Sequence, residues 1–117
     1  MSLTVIIGDS FTAQTYYVNS SGVPFAPTSP TISIFYYNNL GTKVSLVSGA
    51  PMVPNVPTDV GRYTYLYSFP GTLEDGSIAY IGYSAIDPIS GNNLYSEEQV
   101  NLISRPAATG MGYSFVG

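Results

Sequence analysis

Along most of this chain apolar and polar residues alternate with a period of two, the pattern of a strand with one face in a core and one in water. In ISIFYY, Ile32, Ile34 and Tyr36 fall on one side, with Ser33 and Phe35 on the other. Further on, Val100 and Leu102 alternate with Gln99 and Asn101. No window keeps the i, i+3, i+4 apolar spacing of a helix over several turns. The alternation and the β-branched runs predict strands over Leu3–Ile7, Phe11–Val18, Thr31–Tyr37, Lys43–Val47, Arg62–Phe69, Ser77–Ile86 and Leu94–Ile103. Between them lie turn formers: NSSG, NNLG, GAPMVPNVPTDVG, PGTLEDG and DPISGNN. NNLG and DPISGNN have the composition of tight hairpin connections, the second with Pro88 and Gly91 to set its geometry. Short strands at roughly 8–12-residue intervals predict an all-β protein, an antiparallel sandwich of about seven strands.

After residue 104 the pattern changes. RPAAT is linker-like, whereas the last residues alternate again: Met111, Tyr113 and Phe115 on one side, Gly112, Ser114 and Val116 on the other. The chain therefore divides into a sandwich domain over 1–104 and an extended C-terminal arm over 105–117. Such an arm fits either of two places, the last position in its own sheet or a sheet edge of another chain. Burying Met111, Tyr113 and Phe115 is worth on the order of 5 kcal/mol. Ordering a Gly-rich arm opposes that with roughly 1 kcal/mol or more per residue. A single arm is a weak contact, and many copies on a lattice make it strong.

The 117 residues are enough for one modest core. Only 9% are charged, against about 25% in an average domain. The surface is thus largely hydroxyls, amides and glycine, with little charge to keep copies apart. Formal net charge is −4, and Lys43, Arg62 and Arg105 stand far apart, which argues against nucleic acid as a partner. No stretch approaches the ~18 apolar residues of a membrane helix. The start, MSLTVIIGD, has no basic segment before its short apolar run, so export by an ordinary signal is not expected.

Catalytic chemistry finds few materials. Histidine and cysteine are absent, so neither a Ser-His-Asp arrangement nor a tetrahedral zinc site can be assembled. Asp59, Glu74, Asp75, Asp87, Glu97 and Glu98 are carboxylate candidates on paper for glycoside hydrolysis. Glu97 and Glu98, adjacent on a strand, must point to opposite faces. Asp87 with Asn92 and Asn93 does not follow the spacing of a calcium loop. Lys43, beside a hairpin, reads as a guard on an edge strand. The expectation is a protein without enzymatic activity or cofactor.

The most distinctive stretch is TDVGRYTYLYSF, with tyrosines at alternate positions after Asp59-Val60-Gly61. It resembles the tyrosine corner of immunoglobulin-like sandwiches, in which a Tyr near a strand start turns inward and its hydroxyl bonds to backbone a few residues upstream. The resemblance implies that Asp59 and Gly61 shape the turn and that Tyr63 pins it. Tyr65 would then stand where antibody domains have a cysteine, with Tyr67 continuing the inward row. The chain departs from those domains in having no cysteine and no tryptophan. In size and in the run Gly61-Arg62-Tyr63-Thr64-Tyr65 it resembles the immunoglobulin-like accessory proteins of tailed bacteriophage particles.

That resemblance implies a structural virion protein, made in the host cytoplasm. The foremost role would be a capsid decoration or cement protein that binds the major capsid protein. A tail, baseplate or fibre component is the alternative. Partners would be virion subunits or further copies of the chain, engaged through Met111, Tyr113, Phe115 and Val116 in the arm and Leu3, Val5 and Ile7 near the other terminus. Eleven tyrosines also leave a glycan-binding module open, with Tyr16, Tyr17, Tyr36, Tyr37, Tyr80, Tyr83 and Tyr95 as stacking candidates.

Overall fold

The computed structural model describes residues 3–55 and 59–104. The arm, with Met111, Tyr113, Phe115 and Val116, lies outside the described residues.

The described residues form eight strands in two packed sheets, with no helix among them. They are β1 (Leu3–Ile6), β2 (Ser10–Tyr16), β3 (Thr28–Tyr37), β4 (Lys43–Pro51), β5 (Val53–Pro54), β6 (Arg62–Ser68), β7 (Ile78–Ile86) and β8 (Asn93–Ile103). One sheet has the order β1-β8-β7-β3-β4 and the other β2-β6-β5. The chain is a β-sandwich.

Each hairpin forms for local reasons. At the β3–β4 turn the Asn38 side-chain oxygen accepts from the amides of Leu40 and Thr42, and Gly41 takes a φ of 79°. At the β7–β8 turn Asp87 Oδ1 accepts from the Ile89 amide at 2.9 Å, with Gly91 at φ 76°. Both side chains imitate a backbone turn, which Asn and Asp do best.

Three features differ from the sequence expectation. β1 runs parallel to β8, with Leu3 opposite Val100 and Ile6 opposite Ile103, so the sandwich is not wholly antiparallel. The tight turn after β1, with Gly8 at φ 90°, moves the chain straight from one sheet to the other, leaving no hairpin to form. β4 is longer than expected and is followed by β5, inside a segment whose prolines argue against strands. Proline is tolerated there because β5 is a two-residue edge strand paired only with β6. β3 also starts early, passing Pro30 through an irregularity between Thr28 and Thr31.

The core lies between the sheets. Ile32, Ile34, Ile81, Val100 and Leu102 are fully buried on the five-stranded side, and Ala13, Tyr63 and Phe69 close it from the other. At about 25 cal/mol per Å² of apolar area removed from water, such burial dominates the stability of a small sandwich.

Candidate functional site

The alternating tyrosines are wall. Tyr63 is buried, and Tyr65 and Tyr67 pack half-buried against the core. Tyr67 meets Phe69 edge-on at 5.1 Å and Phe11 at 6.3 Å, while Phe11 stacks on Phe69 at 5.6 Å. Tyr63 meets Tyr17 edge-on at 6.0 Å. Burial raises the pKa of Tyr67 and of Tyr17 above the ordinary phenol value.

Asp59 and Arg62 form an ion pair, and the Arg62 amide donates to the Asp59 carbonyl at 3.2 Å. Gly61 has φ 91° and packs directly against backbone: a Cβ there would lie 2.6 Å from the Tyr17 carbonyl oxygen. Of the residues just upstream, where a corner hydroxyl would find its acceptor, 56–58 lie outside the described residues. β6 belongs to the three-stranded sheet, between β2 and β5.

The carboxylates are dispersed. Glu97 and Glu98 do face opposite ways: Tyr95 donates to Glu97 Oε2 at 2.8 Å on the outer face, and Tyr83 donates to Glu98 Oε1 at 3.1 Å between the sheets. Burial, then the neighbouring Glu98 carboxylate, pushes the Tyr83 phenol well above its usual range. Asp75 Oδ1 accepts from the Ser104 amide at 2.7 Å, and Asp87 caps its turn. Among the described residues no group of three or more acids is placed to hold a metal ion.

Leu3, Val5 and Ile7 were expected at a contact with another subunit. Their side chains instead point into this chain's own core, Val5 being 6% exposed and the other two packed beside it. Strand alternation gives the reason: with Val5 opposite Leu102, every second residue of β1 must face the inner layer. What this region offers a neighbour is backbone and a groove.

That groove lies between β1 and β2, about 310 Å³, lined by the apolar Leu3, Val5, Ile6 and Phe11 and by the polar Thr4, Asp9, Ser10 and Thr12. Along it runs the outer edge of β2. Sheet edges are usually blunted by charge, proline, bulges or shortness, and the other edges here follow that rule. β4 begins with Lys43, ends with Pro51 and pairs irregularly around Ile34. β5 and β1 are only two and four residues long. β2, SFTAQTY, has seven residues, no charge, no proline and an unbroken register with β6 from Ser10 to Tyr16. Among the described residues nothing pairs with its other side. Sequence reasoning missed this site because edge status depends on the order of strands, which local pattern does not encode.

No family model matches the chain, and neither does a curated protein or a solved structure.

Proposed function

We propose that this chain is a structural assembly module. In this reading it is an immunoglobulin-like sandwich that joins neighbouring subunits by accepting a strand along β2. Its setting is a bacteriophage particle, foremost as a decoration or cement protein on the major capsid lattice. The observation that carries the reading is the long, uncharged, unblunted edge of β2 beside a groove that Leu3, Val5, Ile6 and Phe11 help to line. A strand added there satisfies a row of backbone groups and fills the groove with alternate side chains, the mode of β-strand addition.

Strand order supports the immunoglobulin-like part. The sequence β8-β7-β3-β4 and β2-β6-β5 follows strands G-F-C-C′ and B-E-D of a variable-type domain. In that scheme the place of strand A, beside B, is the one left open at β2. The scheme also puts β6 in the place of strand E. Tyr63 then closes the turn into E, one strand earlier than the usual tyrosine corner.

The donated strand we assign to residues 111–116 of a neighbouring subunit, which in the purified protein is another copy. Met111, Tyr113 and Phe115 supply the alternation that the groove accepts. Backbone hydrogen bonds along β2, each worth roughly 0.5–1.5 kcal/mol, add to that side-chain burial. The test is to mix purified protein with particles that lack it. Binding and a higher particle disruption temperature are expected; absence of both removes the capsid role.

A further inference from the structure

Beside the end of β3 and the start of β7 lies an open groove of about 550 Å³. It runs between the β3–β4 turn and the segment joining β6 to β7, and its size falls within the roughly 300–1,000 Å³ of small-ligand sites. Tyr37 and Tyr80 supply aromatic surface on the outer face, and Ile78, Asn39 and Glu74 are also in the lining. The rings are held in place by one another. Phe35 stacks on Tyr80 at 5.5 Å, and Tyr37 stands edge-on to Tyr80 at 5.9 Å and to Phe35 at 5.9 Å. Lys43 caps the cluster with its ammonium 4.1 Å from the Phe35 ring centre.

We propose that this groove binds a neutral saccharide. A pyranose has a face of polarised C–H groups, which pack on aromatic rings, and a rim of hydroxyls, which need both donors and acceptors. The groove matches each requirement. Tyr37, 49% exposed, leaves much of its surface open. Among the described residues the Tyr37 and Tyr80 hydroxyls, the Asn39 amide and the Glu74 carboxylate make no hydrogen bond, so all are available to hydroxyl groups. Glu74 and Asp75 in the lining outnumber the one cation near the rings, Lys43 on Phe35, which disfavours anionic sugars. A preformed aromatic platform also spares the ligand the ordering penalty of a mobile one. This inference is independent of the β2 edge: either stands if the other fails.

The experiment is titration of the full chain with cellohexaose, maltohexaose and chitohexaose, followed by calorimetry and by amide resonances, with a heparin oligosaccharide as the anionic comparator. At least one neutral sugar is expected to bind, shifting amides at 36–39 and 72–80, while the heparin oligosaccharide leaves them unmoved. Tyr37→Ala is expected to weaken binding about tenfold, Glu74→Gln about threefold, and Tyr16→Ala, on the other sheet, not at all. Glu74 sits on an exposed turn, so its substitution tests the site even if Tyr37→Ala disturbs the platform. If no neutral sugar moves these resonances at millimolar concentration, the proposal fails, whatever else fills the groove. Binding that survives both Tyr37→Ala and Glu74→Gln also overturns it.

Discussion

The Gly61 carbonyl accepts the Tyr17 amide at 2.9 Å, and a side chain on Gly61 would press a Cβ to within 2.6 Å of the Tyr17 carbonyl oxygen. The two backbones are in contact because Gly61 has no side chain and because its φ of 91° is closed to most other residues. Here the loop after β2 is fastened to the start of β6.

Gly61→Ala should therefore destabilise the protein by more than about 2 kcal/mol, the sum of left-handed strain and a clash with unyielding backbone. Gly82 is the control. A Cβ there would also fall 2.6 Å from an atom, but that atom is the Tyr95 hydroxyl, the far end of a side chain that can rotate away. Gly82→Ala should change stability by less than about 1 kcal/mol. Urea denaturation of the two variants checks the contrast.

The Asp59–Arg62 pair at the same turn should matter far less. Both side chains are about one-third exposed, and pairs open to solvent contribute roughly 0–1 kcal/mol. Asp59→Asn should lower stability by no more than that, and salt should erase the difference.

Alkaline pH should weaken the fold. The phenols of Tyr83, Tyr17 and Tyr67 all have pKa values raised above 10.0, chiefly by burial. A raised value means the folded state holds its proton more tightly than the unfolded one. The associated stability is complete below about pH 10 and is lost as pH climbs from there toward the folded-state values. Tyr83→Phe should flatten part of this decline. It should also lower stability at neutral pH by about 1 kcal/mol, through loss of the bond to Glu98. Thermal melts between pH 7 and 11 read both effects.

Most of the strands were legible in the sequence because their cause is local. Ile32 and Ile34 are buried and Phe35 lies on the outer face, as alternation requires. The Asn38 and Asp87 turns were legible for the same reason. What escaped was non-local. That β1 runs parallel to β8, and that β2 stands at an edge, follow from how strands are ordered in space, to which a strand's own pattern is indifferent. Leu3, Val5 and Ile7 show the consequence: apolar alternation marked them as contact residues without telling which core they contact. β5 escaped because Pro51 and Pro54 are evidence against a strand everywhere except at an edge.

At that edge, Thr12→Lys with Gln14→Lys should act without harming the fold. Both residues are exposed, so stability should stay within about 0.5 kcal/mol of the parent. Two lysines along β2 supply the guard that this edge lacks, and self-association or particle binding should fall. Equal thermal midpoints with unequal sedimentation would show it.

The central claim, that β2 accepts a strand from a neighbouring subunit, is tested most directly by light-scattering mass after gel filtration. The samples are the full chain and a version ending at Ser104. The account predicts a defined oligomer for the full chain and a folded monomer for the shortened one. An unfolded shortened chain would mean that the arm completes its own sheet, and equal masses would mean that copies do not exchange it; either result contradicts the account.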